Sequence, residues 1–258
     1  MKNRVALVLS GGGLFGAWQA GAWRALADRL RPDLIAGASV GALNGYAIAG
    51  GASPEELAEL WLSPEFANLR NLPHTIRALM SRYPLTAGAG PDYAEGHRPD
   101  YAETRRPDYA LILTDLLRLK PKIFQGAAIT WRHLAASCAI PGVLPIQTID
   151  GRRYCDGGLL NPLPVWAAVE LGATHVVALH ALPEIPSRWL KPLAAGFRKV
   201  AGHHPPLPEG VELLMLQPAG ALGSVSDSLR WRRGNIERWL DLGYRAAKNI
   251  SISNCIAR

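Results

Sequence analysis

"LIAGASVGALNGYAIAG", residues 34–50, contains the pentapeptide Gly37-Ala38-Ser39-Val40-Gly41. Leu34–Ala36 reads as a short buried strand and Val40–Ala49 as a helix of small residues. G-x-S-x-G therefore falls on the turn between them. A serine on such a turn is thrown outward at the helix N-terminus, because small neighbours let the backbone bend sharply enough to expose Oγ. The pentapeptide alone is common; its strand–turn–helix setting makes Ser39 a candidate nucleophile. Residues 34–54 carry no formal charge, and Gly37, Gly41 and Gly45 repeat every four residues as in packed membrane helices. Yet the segment is mostly Gly, Ala and Ser with Asn44 inside it, and a membrane span is predominantly apolar. A helix packed closely on a sheet is the expected form.

Immediately upstream, "VALVLSGGGLFGAWQAG" (residues 5–21) spells G-x-G-x-x-G at Gly11, Gly13 and Gly16 after the strand-like run Val5–Leu9. A dinucleotide site would need an acidic residue at the end of the second strand to hold the ribose. Asp33 instead precedes that strand, and its end is taken by Ser39. The secretory-leader reading of Met1–Leu9 fails on a short apolar run broken at once by glycines. In a parallel sheet both loops lie at the carboxyl ends of their strands, side by side. One loop rich in free N–H groups beside one bearing a serine suggests acyl transfer, with the amides stabilising an oxyanion.

A chain of 258 residues, 48% hydrophobic and 19% charged, suits one large α/β domain. Its formal charge of +7 favours anionic surfaces, nucleic acid or lipid among them. Cys138, Cys155 and Cys255 are too few and too scattered for a disulfide framework, and fit a reducing, cytoplasmic setting. The seven histidines show no metal-ligand spacing, so no metal is expected.

Further along, a helix is expected over Phe15–Leu30, and Ser53-Pro54-Glu55-Glu56 carries the signature of another helix start. Residues 91–110 repeat an octapeptide, "PDYAEGHR", "PDYAETRR", then "PDYA". It reads as an exposed loop insertion over about 87–109, with a lid over an apolar site as the alternative. Order resumes with a strand at Ala110–Thr114 and a helix at Ile129–Cys138. Ile146–Ile149 and Arg152–Cys155 flank the hairpin signal Asp150-Gly151. A helix over Pro162–Leu171, strands at Thr174–Leu179 and Val211–Gln217, and helical patterns between Asp227 and Asn249 complete the chain. The succession predicts a mostly parallel sheet with helices on its faces, and no linker divides it.

Asp156-Gly157-Gly158 follows the hairpin. The carboxylate is a candidate base for Ser39, the paired glycines letting backbone crowd the site; the trio also fits an ordinary turn. "SGGGLFG", "GASVG" and "DGG" in this order, with residues 137–179 (SCAIPGVLPIQTIDGRRYCDGGLLNPLPVWAAVELGATHVVAL) and "LILTDL" at 111–116, resemble the patatin-like phospholipase family across most of residues 4–180. The resemblance implies a three-layer α/β/α sandwich forming a single domain over 1–258, and a Ser–Asp dyad with Ser39 as nucleophile and Asp156 as general base. It implies an oxyanion loop of Gly11, Gly12 and Gly13, lipid or other acyl-ester substrates, and no cofactor. One departure stands out. The family usually places Arg or Lys between the third and fourth glycines of the loop, where this chain has Phe15.

Three other readings remain. The order Ser39…Asp156…His180 would suit an α/β-hydrolase triad. The Gly-rich loop would suit a nucleotide-binding oxidoreductase. Phe15 would suit a non-catalytic, membrane-associated protein of the same fold. Arg188, Lys191, Arg198 and Lys199, interleaved with Trp189, Leu190, Leu193, Phe197 and Val200, form a basic amphipathic pattern that fits either transient contact with an anionic membrane or core packing. Arg230-Trp231-Arg232-Arg233 is a second basic candidate; with no nucleic-acid-binding fold beside it, a nucleic-acid partner is not expected.

Overall fold

Short apolar runs build the centre of the sheet. In the computed structural model, which describes residues 3–66, 71–85, 106–183 and 205–252, β1 (Val5–Leu9) and β2 (Leu34–Ala38) are buried on both faces. β3 (Asp108–Asp115), β4 (Lys120–Gln125), β5 (Gln147–Ile149), β6 (Arg152–Asp156), β7 (His175–Leu179) and β8 (Glu212–Leu216) complete one sheet. Its order is β5-β6-β3-β2-β1-β7-β8, with β4 also pairing β3. β3, β2, β1, β7 and β8 run parallel, whereas β4 and β6 pair antiparallel with β3.

The strands sort residues by face. Leu7, Leu9, Ile35, Leu111, Leu113, Val177 and Leu179 enter a thick core with α1 (Gly16–Leu26), α2 (Val40–Ala49), α3 (Pro54–Leu62), α4 (Leu72–Arg82), α5 (Trp131–Ser137) and α7 (Arg233–Lys248). Ala6, Val8, Ala36, Ala110, Val176 and Ala178 face the other way, onto α6 (Val165–Glu170), through smaller side chains. Three layers result. The start of α3 is capped as its residues dictate, Ser53 Oγ accepting the Glu56 N–H (3.0 Å) and Glu56 Oε2 the Ser53 N–H (2.9 Å). Among the described residues no helix is long and apolar enough to cross a membrane.

Three features differ from the sequence reading. α4 and β4 were not anticipated. β4 is a half-exposed strand paired only to β3, so it lacks clean alternation. The third repeat copy is no loop: Asp108-Tyr109-Ala110 begins β3, and Tyr109 is 3% exposed with its hydroxyl donating to the Ala42 carbonyl (2.7 Å). The first two copies as far as residue 105, the basic amphipathic stretch 188–200, His97, His203, His204 and Cys255 lie outside the described residues. The second basic candidate is part of the fold. Trp231 Nε1 donates to the Trp61 carbonyl (3.1 Å), Arg232 lies 3.8 Å from Asp227, and α7 begins at Arg233.

Candidate active site

The site is assembled along one edge of β3. β2 is in register with β3 as far as Ala38 opposite Ile112, then turns away. β6 takes over that edge, Asp156 standing opposite Leu113. Ser39, the residue after β2, and Asp156, the last of β6, are thereby neighbours. Ser39 Oγ donates to Asp156 Oδ2 at 2.7 Å, and both residues are 5% exposed.

Ser39 sits at φ 54, ψ −129, a conformation that costs a non-glycine residue and persists only where the surroundings enforce it. The enforcement is visible. A Cβ at Gly41 would overlap the Leu9 carbonyl, and one at Gly37 the Gly41 carbonyl, so the turn closes only with hydrogen at both places. Ser137, at the end of α5, accepts the Ser39 N–H (2.9 Å) and donates to the Ile112 carbonyl (3.1 Å). Two residues on, the Ala139 carbonyl accepts the Asp156 N–H (3.1 Å). Residues 137–139 therefore pin both backbones from one side. Nothing in the sequence reading had singled out Ser137; its signal was only a hydroxyl at the end of an apolar helix.

Asp156 Oδ1 accepts the Gly158 N–H (2.6 Å). Burial raises the carboxyl pKa from its ordinary 3.8 to about 6, against the opposing pull of the hydrogen bonds from Ser39 and Gly158. Burial likewise lifts the Cys155 thiol to about 12 and the Cys138 thiol well above its usual range, which leaves both as inert packing groups.

The glycine loop lies against Ser39, a Cβ at Gly11 falling 3.3 Å from Ser39 Cβ. Its amides are unequal. The Gly11 N–H is bonded to the Pro162 carbonyl (2.8 Å), the Leu14 N–H to the Ser228 carbonyl (2.9 Å) and the Phe15 N–H to the Gly12 carbonyl (3.3 Å). Gly12 and Gly13 N–H take no partner among the described residues. Of the three glycines expected to donate, Gly11 is thus already committed. Beneath the loop runs a closed polar network. Gln19 Nε2 donates to the Ser10 carbonyl (2.8 Å), Asn44 Nδ2 to Gln19 Oε1 (3.0 Å) and Trp61 Nε1 to Asn44 Oδ1 (2.9 Å). Phe15 is 1% exposed and packs edge-on to Trp239 at 5.0 Å. A cation at this position would be buried in an apolar core.

An apolar cleft of about 40 Å³ opens on Ser39 between Gly13, Leu43, Trp61, Phe66, Leu144 and Leu229. Phe66 also edges a second hollow of about 360 Å³ between α3 and α4. His180, at the end of β7, is two strands from Ser39, and Asp156 occupies the hydroxyl directly, which leaves no place for an imidazole between them. Asp33 accepts the Val5 N–H (2.9 Å) at the opposite end of the strands from the glycine loop, out of reach of a ribose there. Among the described residues no three His, Cys, Asp or Glu side chains gather to hold a metal ion.

Residues 7–169, more than half the chain, match the patatin-like phospholipase family. The protein belongs to that family. A Mycobacterium tuberculosis protein described as an uncharacterized NTE family protein is 34% identical over 198 residues, 73% of this chain and 52% of that one. Patatin-like phospholipase domain-containing protein 7 of Rattus norvegicus is 31% identical over 188 residues, covering 69% of this chain and 13% of its own length. This patatin-family chain thus spans about half the mycobacterial relative and a small part of the rat one. In fold it resembles the crystal structure of VipD from Legionella pneumophila, with a TM-score of 0.55 at 12% identity over 96% of this chain and 66% of that chain.

Proposed function

We propose that this protein is a serine acyl hydrolase that cleaves carboxylic ester bonds of lipids through a Ser39–Asp156 dyad. The 2.7 Å hydrogen bond from Ser39 Oγ to a buried carboxylate, on a strained turn facing an apolar cleft, carries the reading. Membership of the patatin-like phospholipase family supports it. Asp156 Oδ2 takes the Ser39 proton as Oγ bonds to the acyl carbonyl carbon and the carbonyl electron pair moves onto oxygen. Gly12 and Gly13 N–H hold that oxyanion. The pair returns, the carbon–oxygen bond to the leaving alcohol breaks, and the alkoxide leaves with the proton from Asp156. Water then attacks the acyl-enzyme, giving its proton to Asp156, which restores it to Ser39 as the acid departs. A base with a pKa of about 6 is ionised at neutral pH yet basic enough to share a proton with a serine.

The oxidoreductase alternative has no ribose-binding acid to call on: Asp33 accepts the Val5 N–H at the far end of the strands from the glycine loop. The non-catalytic alternative rested on Phe15, and Phe15 belongs to the core rather than to the cleft. A fluorophosphonate probe should label the wild-type protein and not Ser39→Ala, and turnover of a short-chain chromogenic ester should vanish with the label. Labelling that survives in the folded Ser39→Ala variant would refute the assignment.

A further inference from the structure

β3 does not stop at the level of the nucleophile. Ala38 pairs with Ile112, and the strand continues to Asp115. At about 3.3 Å per residue, this carries the β3–β4 turn, residues 116–119, roughly 10 Å beyond Ser39 at the same end of the sheet. The turn is held firmly. Asp115 Oδ1 accepts the N–H groups of Leu117 (2.9 Å) and Arg118 (3.2 Å), and the Leu116 N–H is bonded to the Arg153 carbonyl (3.1 Å) beside the β5–β6 hairpin.

What this rigid turn displays is at odds with a surface that meets only water. Leu117 is 90% exposed, and Leu119 is 43% exposed at φ 50, a conformation in which Gly or Asn is the less strained choice. Neither leucine joins a core cluster. Arg118 and Lys120 flank them, and Arg152 and Arg153 stand on the adjoining hairpin, all four exposed. Lys122 is excluded from this group, since it folds back onto the Tyr154 hydroxyl (3.4 Å) and the Phe124 ring. The opposing carboxylates are Asp115, which is buried and 3.8 Å from Arg152, and Asp150 at the hairpin tip. Val143, half-exposed on the loop bordering the cleft, extends the apolar rim.

We infer that the β3–β4 turn and the β5–β6 hairpin form a docking surface for an anionic lipid bilayer, with Leu117 and Leu119 inserting below the headgroups that the four cations engage. The inference rests on the lipid-hydrolase reading, which places the scissile ester in a bilayer. An anionic bilayer meets both features at once, charge complementarity at the headgroups and apolar insertion below them. A phosphate backbone would meet the cations but leave two leucines at the crest without a partner.

The test is co-sedimentation of the full chain with phosphatidylcholine vesicles, with and without phosphatidylglycerol, alongside hydrolysis of a soluble short-chain ester. Wild-type protein should prefer the anionic vesicles and lose that preference at high salt. Leu117→Ser with Leu119→Gly should weaken partitioning at least about tenfold, the order expected for apolar side chains no longer buried, and leave soluble-ester turnover unchanged. Arg118→Gln with Lys120→Gln, which leaves both leucines in place, should cost about fivefold per charge removed. Undiminished partitioning of the leucine variant overturns the proposal. So does wild-type protein that ignores vesicles and binds an oligonucleotide duplex or a protein through the same residues. Vesicle binding that depends on the turn, in a protein that hydrolyses no ester, upholds this surface and removes the hydrolase reading instead.

Discussion

Two glycine-bearing loops meet at Ser39, and they treat charge in opposite ways. On one side Asp156-Gly157-Gly158 keeps an ionisable carboxyl almost fully buried with two hydrogen-bond donors, and its pKa is raised to about 6. On the other, the loop from Ser10 to Gly16 contains no charge, and the polar network beneath it is neutral throughout. At Gly157 the glycine is demanded by crowding, since a Cβ would overlap the Ile112 carbonyl; at Gly13 it is demanded by a φ of 57 as well. One loop holds a carboxyl, the base of the proposed dyad, against its solvation. The other spends backbone geometry to keep two amides open. The difference suits the roles proposed for them: a proton acceptor has to be poised, whereas an oxyanion site has only to be in place.

The contrast breaks most sharply at Asp156→Asn. The amide can accept from Gly158 and donate to Ser39, so the fold should persist while ester turnover falls about 10³- to 10⁴-fold. The same variant should be more stable at pH 8, by at most about 3 kcal/mol for a shift from 3.8 to about 6. The sign follows from a folded pKa above the unfolded one: the charged carboxylate burdens the wild-type fold above both values. As the pH falls through about 6 and then below 3.8 the burden disappears, and the two melting curves should converge. Equal stability across that range would mean that the carboxylate is not held against its solvation.

On the opposite loop, Gly13→Ala meets both the positive φ and the Ser228 carbonyl. It should lower kcat about 10²- to 10³-fold through a displaced amide, and it should lower stability, the reverse of Asp156→Asn. Paired melting and kinetic measurements on the two variants separate these loops directly. Next in size is the pH profile of the wild type: kcat/KM should decline tenfold per unit below a midpoint of about 6 and flatten above it. A midpoint near 4 would place the working carboxylate in water. Smallest is the effect of Phe66→Ala, which removes the ring shared by the cleft at Ser39 and the larger hollow. It should shift preference towards longer acyl chains by a few-fold, read as a ratio of kcat/KM between two chain lengths, because added apolar burial contributes about 0.8 kcal/mol per methylene.

Side chains that announce themselves were legible in the sequence. The turn around Ser39, the Asp150-Gly151 hairpin, the Ser53 cap and the succession of central strands all rest on local chemistry that a short window contains. The partners that hold the site together were not. Pro162, Ala139 and Ser228 contribute carbonyl oxygens, which every residue carries, and nothing in their identity marks the contact. The commitment of the Gly11 amide was hidden for the same reason. β4 was obscured because Pro121 and two lysines sit on a strand with a single neighbour, where alternation is not enforced. Tyr109 was misjudged through its company, since the two copies of its tetrapeptide before it share every letter, and only the apolar run behind the third draws it into the sheet.

The contacts of Ser228 with Leu14 and of Trp239 with Phe15 also bear on how this architecture can be cut and exchanged. The stretch common to the family ends at residue 169, yet the aromatic stopper under the glycine loop and the carbonyl that braces it come from a region some sixty residues further along. Motif and scaffold therefore are not coextensive. A fragment trimmed to the shared stretch would carry every signature residue and still lack the wall behind Phe15. A chimera that imports only those signatures must bring a counterpart to α7, or restore at Phe15 a residue suited to solvent.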